Sequence, residues 1–408
     1  MNELDFTLPP SNTAIVDRKQ HVRAYPTSSS TLTPGSNRIF RVRLGGDDFI
    51  DSSSIRLMYR ITNLDGTNAL RPLTGPWGAW SQLYLRSNGV ELDNIPMYGR
   101  FHQMHGHALL PFQEQWAESS VCGMGGSWAT TGTPSNVPAV GTIAANGSYT
   151  VMHKVHCSLF NSSRYLPSRY MPLELEMSLN SVVSDWLTAG GGNSQTYEVS
   201  EIQVLYNSVT LDESIQSSFY QALLNSRSLS LPVVNVYQTV QSIPATSTSF
   251  SFAAVRAFSR LSHVWLTFRG TGARSAEFVC PTTTAGTGVT PALADGGAPQ
   301  ARLTIGPKNY PDPQSITNIP EYYYQLQQAL GYAPNITRDA FQTGNCFTIV
   351  WDLCKTPGDK SSAISTRSGD LLNITLQGLT ANTASEAWLT MFAFSVVACR
   401  EQGCTLLT

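Results

Sequence analysis

The 408-residue chain is long enough for two or three domains of about 150 residues each. Its net charge of −2 gives no sign of a nucleic-acid-binding surface, and a hydrophobic content of 41% excludes intrinsic disorder. Charged residues make up only 13% of the chain, against about 25% in ordinary soluble proteins. Because monomers use surface charge to stay apart from their copies, this shortage needs an explanation.

The sequence predicts neither a membrane-spanning helix nor a signal peptide. The most apolar stretch, AWLTMFAFSVVAC at 387–399, has 13 residues, whereas a spanning helix needs about 20. It is therefore predicted to be a buried strand. The N-terminus has no basic start followed by an apolar core, so no signal peptide is expected.

Apolar residues alternate with polar ones in much of the chain, which is the period of a strand with one buried face. More uniformly apolar runs, VWLTF and FTIVW, favour interior strands. In chain order, the patterns predict strands at 38–44 and 55–62, a helix at 96–110, a strand at 173–179, a helix at 212–224, a strand at 264–268, a helix at 320–330, and strands at 347–351, 371–376 and 387–399.

The two halves of the chain present the same order of parts. Each has a strand, a Gly-rich loop, a strand with a turn, a helix opened by proline and then further strands. This order predicts two similar domains in tandem, although residue identities are not repeated. The expected boundaries are an N-terminal arm at 1–37, a first domain at 38–211, a helical linker at 212–230 and a second domain at 231–408.

Two stretches rich in Gly, Thr, Ala and Pro lie inside the halves, at 119–147 and 270–300. Long loops on a rigid scaffold are usually exposed and carry interactions. We therefore expect these loops to face outward or to contact neighbouring molecules.

Several segments occur in the order typical of a known family. They are FIDSSSIRLMYRIT from Phe49, LRSNGVELDNIPMYGRF from Leu85, HKVHCSLFNSSRYLPSRYMPLELEMSLN from His153, IQVLYNSVTLDESIQSSFYQALL from Ile202, and WLTMFAFSVVACREQG from Trp388. Together they resemble the double jelly-roll major capsid proteins of double-stranded DNA viruses, a group with polinton-like viruses, virophages and nucleocytoplasmic large DNA viruses. The late loop PGDKSSAISTRSGD lacks the Pro-Ser-Gly and Asn-Phe-Ser signature of the large viruses, which favours a small-virus relative.

The resemblance implies an all-β fold of two tandem eight-stranded antiparallel jelly-roll sandwiches with a few short helices. It also implies a structural role in the virion: homotrimeric, pseudo-hexagonal capsomers that tile an icosahedral shell with neighbouring capsomers, penton proteins and minor capsid proteins. Assembly would take place in the reducing interior of the host cell. Interfaces of this kind are depleted in Lys and enriched in Arg, and the chain has five lysines among its 26 basic residues.

The cysteines and histidines favour packing over chemistry. The seven cysteines have no regular spacing and are expected to be reduced thiols that act as small hydrophobic residues. His102, His105 and His107 have no His-Glu-x-x-His pattern and no acidic residue among them, so helix packing is favoured over a metal site. His153 and His156 are expected to point to opposite faces of a strand.

No phosphate-binding loop, dinucleotide-binding glycine motif or nucleophile elbow is present in the sequence. We therefore expect no enzyme activity, no catalytic residues, no metal and no cofactor. A soluble tandem β-sandwich binding module, such as a lectin, is the alternative function.

Basic residues Arg18, Lys19 and Arg23 lie in the expected N-terminal arm. Such an arm could contact the genome or an internal membrane through counterion release, or could hold a neighbouring capsomer. An arm that is merely solvated fits these residues equally well.

Overall fold

The structure of the protein is a computed structural model, in which the chain forms two β-sandwiches in tandem. The described residues are 16–108 (without the side chains of 106–108), 117–118, 121–122, 142–225, 228–281, 299–312, 315–331, 341, 346–356, 359–367, 371–380, 384–400 and 403–407.

The first sandwich packs two antiparallel sheets against each other. One sheet has the order β1-β9-β3-β6 with a short β7 beside β3, and the other has the order β2-β8-β4-β5. The strands are β1 (Val16–Ala24), β2 (Ile39–Leu44), β3 (Phe49–Asn63), β4 (Trp80–Ser87), β5 (Val90–Ile95), β6 (Ser148–Lys154), β7 (Tyr165–Leu166), β8 (Leu173–Leu179) and β9 (Tyr197–Leu211).

The second sandwich repeats this arrangement. Its sheets have the orders β10-β17-β12-β15, with β18 beside β17, and β11-β16-β13-β14. The strands are β10 (Leu229–Ser242), β11 (Ser249–Ala254), β12 (Leu261–Arg269), β13 (Gln300–Ile305), β14 (Lys308–Tyr310), β15 (Thr348–Asp352), β16 (Leu372–Gln377), β17 (Glu386–Arg400) and β18 (Gly403–Leu407).

The strand order is that of a jelly roll in both sandwiches. With β7 and β18 set aside, strands one, eight, three and six of each sandwich form one sheet, and strands two, seven, four and five form the other. Eight strands in two sheets wound in this way define the jelly roll. The prediction of two tandem eight-stranded jelly rolls is confirmed, and the duplication inferred from the order of parts is visible in the topology.

Three α-helices lie in the described part of the chain, where the sequence predicts them: α1 (Tyr98–Ala108), α2 (Glu213–Leu224) and α3 (Ile319–Leu330). Helix α2 joins the sandwiches, and the Asp212 side chain accepts a hydrogen bond from the backbone N–H of Ser214 to cap its first turn. Helix α3 opens with Pro320 in its first turn and ends at Gly331, whose φ of 73° suits a residue without a Cβ. None of the described helices is long and apolar enough to cross a bilayer.

The N-terminal boundary differs from the expectation of a free arm at 1–37. Residues Val16–Ala24 form β1, an edge strand paired with β9 from Val16 opposite Leu211 to Ala24 opposite Val204. The strand is mostly polar because an edge strand tolerates charged side chains, which discourage pairing with other chains. Val22 and Ala24 nevertheless pack on the core. The first jelly roll therefore includes residues that the sequence assigns to the arm.

Most of the loops predicted at 119–147 and 270–300 lie outside the described residues. The beginning of the second loop is described, and it does not simply face outward: Phe278 and Cys280 are buried in the core. The outward position of the remainder stays a prediction.

Tyr59 and Tyr197 offer a matched test of the first core. Both lie in the same sheet, are buried, and meet a tryptophan ring edge to face. The hydroxyl of Tyr59 donates to the Pro76 carbonyl (2.8 Å) and accepts from Trp80 Nε1 (3.1 Å), whereas the Tyr197 hydroxyl has no hydrogen-bond partner.

We expect Tyr59→Phe to lower the free energy of unfolding by about 1–3 kcal/mol, because it leaves a buried donor and a buried acceptor unpaired. Tyr197→Phe should change it by less than about 0.5 kcal/mol, since no hydrogen bond is lost. Denaturant unfolding of both variants checks this. Equal losses in the two variants would contradict the role given to the Tyr59 hydroxyl.

Candidate functional site

Arg100 joins the two sandwiches. It extends from α1 of the first sandwich, is 1% exposed, and places its guanidinium in the second. Nη1 donates to the carbonyls of Arg274 (2.9 Å) and Glu277 (2.6 Å), and Nη2 donates to Thr267 Oγ1 (2.8 Å) and the Phe268 carbonyl (3.2 Å). A planar guanidinium suits this site because it can bond several acceptors at once.

The surroundings of Arg100 compensate its buried charge. Its guanidinium lies over the ring of Phe278, at 4.3 Å from the centroid. Burial lowers the pKa of Arg100 to about 9, while the charges of Glu386 and Glu277 oppose that shift. Arg100 therefore remains charged at neutral pH.

Further polar contacts cross the same junction. Asn235 Nδ2 donates to the Leu92 carbonyl at 2.5 Å, and Gln238 Oε1 accepts from the backbone N–H of Met97 at 3.2 Å. The guanidinium of Arg274 lies 3.8 Å from Asp185 in the first sandwich. The sandwiches are therefore held in a defined orientation by directional contacts as well as by apolar packing.

The junction explains why two interior strands are buried on both faces. Seven or more consecutive residues are buried in β12 and in β17. One face of their sheet packs in the second core, while the other meets α1, where Phe101 contacts Phe392 with ring centroids 6.4 Å apart. Uniformly apolar sequence in these strands thus reflects contact with the neighbouring sandwich.

Four histidines cluster beside the junction: His102, His153 and His156 are buried, and His105 is partly buried. His102 and His105 lie on α1, His153 lies near the end of β6, and His156 follows that strand. The rings of His105 and His156 stack at 4.3 Å, and His102 lies 4.7 Å from His156 and 5.4 Å from His153. We call these four residues the histidine cluster.

The expectation that His153 and His156 point to opposite faces is wrong. Strand β6 ends at Lys154, so the alternation of a strand does not extend to His156, and both rings meet His102. The side chain of His107, the third histidine predicted on the helix, lies outside the described residues.

The histidine cluster is held in the neutral form. Burial lowers the pKa of His153 and of His156 to about 4, and burial with neighbouring imidazoles keeps the pKa of His102 well below its usual range. Nδ1 of His102, Nδ1 of His105 and Nε2 of His153 are buried without a hydrogen-bond partner. The rings act as packed aromatic groups, as helix packing predicts; His102 also stacks on Trp77 at 4.4 Å.

A different group of residues has the composition of a metal site. Within the described ranges, His263, Asp352 and Cys354 place three possible ligand atoms within 4.8 Å of one another. The sequence did not indicate this group, because His263 is 89 residues from Asp352 and 91 from Cys354, and no short motif joins it to them. Only the register of β12 against β15 brings them together.

The structure places the predicted basic residues on an outer strand. Arg18 lies 3.9 Å from Asp48, and Lys19 Nζ donates to Asp51 at 2.8 Å. Arg23 is exposed in the same strand. Two of the three basic side chains thus face carboxylates of the same sandwich, which reduces the positive potential they present.

Comparison with known proteins identifies the fold. No protein-family model matches the sequence, and no curated protein matches it. Among solved structures, the PBCV-1 virus capsid (TM-score 0.65, 11% identity) covers 98% of this chain and 98% of its own. The match to the Sputnik virophage structure has a TM-score of 0.63 at 12% identity and covers 99% of this chain and 91% of that one. The match to the Faustovirus major capsid protein has a TM-score of 0.62 at 9% identity and covers 97% of this chain and 92% of that one.

At these identities the likeness establishes the fold. The chain has the double jelly-roll fold of these viral capsid structures, and the resemblance inferred from the order of sequence segments is confirmed at that level. The match extends over nearly the whole length of both chains, so it includes both sandwiches and their relative placement.

Proposed function

We propose that this chain is a structural major capsid protein that forms the shell of a double-stranded DNA virus. The observation that carries the proposal is the tandem of two complete jelly rolls, matched along at least 97% of this chain by capsid structures from three viruses. The lectin-like alternative explains a β-sandwich, but no observation favours it over a capsid role. We propose no catalytic activity.

The exposed surface supports an assembled state. Val255 follows and Leu371 precedes the last pair of β11 and β16, Ala254 opposite Leu372, and they are 83% and 54% exposed. Tyr25, Tyr324 and Leu407 are also more than half exposed. Apolar surface of this kind, on a chain with little charge, favours contacts that cover it.

The proposed partners are two further copies in a homotrimer with a pseudo-hexagonal outline, then neighbouring capsomers, penton proteins and minor capsid proteins. Obligate interfaces of about 2,000–5,000 Å² do not need a charged surface, which accounts for the charge content of 13%. Of the basic residues on β1, Arg23 is the strongest candidate for contact with a neighbouring capsomer, a genome or an internal membrane. Arg18 and Lys19 already face carboxylates.

Light scattering of the purified full chain tests this function. We expect a particle of about three times the 44.4 kDa chain mass, and closed shells by electron microscopy under assembly conditions. A stable 44.4 kDa monomer at all concentrations would contradict the capsid role. Arg23→Gln should leave the trimer intact and change only shell formation or cargo; Arg60→Gln, at a partly exposed position of β3, is its control.

A further inference from the structure

His263, Asp352 and Cys354 form a group with three kinds of metal ligand. His263 in β12 lies directly opposite Asp352 in β15, and Cys354 follows two residues later, just beyond the strand. Imidazole, thiolate and carboxylate are the ligands that zinc takes in proteins. The group therefore combines nitrogen, sulfur and oxygen donors on one side of one strand pair.

The spacing of the imidazole and the carboxylate suits a metal better than it suits direct contact, while the Cys354 thiol donates to the Ser262 carbonyl at 3.8 Å. His263 Nε2 lies 3.6 Å from Asp352 Oδ1, which is too long for a hydrogen bond. With metal–ligand bonds of about 2.0–2.3 Å, neighbouring ligands of a tetrahedral zinc ion lie about 3.4 Å apart. The imidazole and carboxylate are thus already at that separation, and the third ligand atom lies within 4.8 Å of both.

Hydrogen bonds hold the ligands in place from behind. Asp352 Oδ1 accepts from the backbone N–H of Cys354 at 2.9 Å, and the His263 ring has a backbone hydrogen bond at Ala329 in α3. Outer partners of this kind orient the ligands of metal sites and fix the histidine tautomer.

The group is also open to solvent from one side. His263 borders a cavity of about 380 Å³ at the junction of the sandwiches, together with Trp265 and Phe392. The side chain of Asp352 is 24% exposed. An ion would reach the group through His263, the member that lines the cavity, and through the partly exposed carboxylate of Asp352.

We propose that His263, Asp352 and Cys354 bind one zinc ion, with water as the fourth ligand. The thiol of Cys354 loses its proton to solvent when the ion binds. The ion would tie β12 to the segment after β15 and so stabilise the folded second sandwich by mass action. This inference is independent of the capsid role, because it concerns a site within one chain.

Lys360 gives the proposal an internal check. Its ammonium lines the same cavity and lies near enough to lower the pKa of both His263 and Cys354. A fixed positive charge repels a divalent cation. Lys360→Met should therefore tighten zinc binding severalfold, although Lys360 is not itself a ligand.

The test uses the full chain, stripped of metal with a chelator and titrated with Co²⁺ and then Zn²⁺. We expect one equivalent of Co²⁺ to produce the visible bands of tetrahedral cobalt and a thiolate-to-cobalt charge-transfer band, both removed by Zn²⁺. Cys354→Ser should abolish the charge-transfer band and weaken Zn²⁺ binding by at least about tenfold. Zn²⁺ should raise the unfolding temperature of the wild-type chain but not that of Cys354→Ser.

Cys346→Ser is the matched control, because burial raises the pKa of both Cys346 and Cys354 to about 12, yet Cys346 is not in the group. It should retain the cobalt spectrum. His263→Gln provides a second variant should Cys354→Ser fail to fold, and it should weaken binding equally. A wild-type chain without the charge-transfer band, or loss of that band in Cys346→Ser, would overturn the proposal.

Discussion

Arg100→Met is expected to lower the free energy of unfolding by about 3–5 kcal/mol, the range for removal of one partner from a buried charged network. The side chain of methionine fills part of the space but cannot reach the acceptors. The partly buried carbonyls of Arg274 and Glu277 then lose the guanidinium as donor, and the buried Phe268 carbonyl keeps only the backbone N–H of Val279. Because these acceptors are backbone groups, no compensating substitution can remove them.

Denaturant unfolding at one fixed protein concentration measures this effect. Arg60→Met is the control: Arg60 pairs with the carboxylate of Glu201, and the two side chains are 44% and 58% exposed. Exposed pairs contribute about 0–1 kcal/mol. Arg100→Lys should recover only part of the loss, since an ammonium cannot copy the fork of the guanidinium. A loss in Arg100→Met no larger than in Arg60→Met would show that Arg100 does not hold the junction.

Acid should destabilise the chain through the histidine cluster. The pKa of His153 and of His156 falls to about 4 in the folded state, while an unfolded histidine has a pKa near 6.5. Below pH 6.5 the unfolded chain therefore binds more protons than the folded chain, and stability falls with pH until about pH 4. At pH 5 the loss is about 2 kcal/mol for each of the two histidines.

His156→Asn isolates this contribution. The variant should lose less stability than the wild type between pH 7 and pH 5, by about 2 kcal/mol. Burial raises the pKa of Asp93 to about 6, so protonation of Asp93 favours the folded state as the pH falls and opposes the effect of the histidines. The difference in pH slope between variant and wild type removes this shared contribution. Identical pH slopes for wild type and His156→Asn would contradict the assignment.

Much of the fold is readable from the sequence because a sheet with one buried face has a simple period. The strand at 173–179 follows from alternation, and the helix starts follow from prolines: Pro320 lies in the first turn of α3, and Pro96 lies two residues before α1. Strand β1 was missed because edge strands carry polar residues, and VDRKQHVRA has no regular alternation. Its pairing depends on β9, which lies almost 190 residues away.

The candidate sites were harder to predict, because they depend on contacts between distant parts of the chain. Arg100 resembles any other arginine in a helix until the second sandwich supplies the carbonyls around it. His263 and Asp352 have no local pattern, and only cross-strand register places them opposite each other. The sequence indicated part of the histidine cluster, since His102 and His105 are close together in it. It did not indicate that His153 and His156 pack against them.

The shared strand order of the sandwiches has a consequence for symmetry. The two jelly rolls have one topology, but the residue identities of the two halves are not repeated, so their surfaces carry different side chains. In the trimer proposed above, six sandwiches of one topology would surround the ring, and the two different sequences would alternate around its rim. Each contact between two rings could then join two first jelly rolls, a first and a second jelly roll, or two second jelly rolls. A single gene product would thereby provide several different edges from one backbone shape.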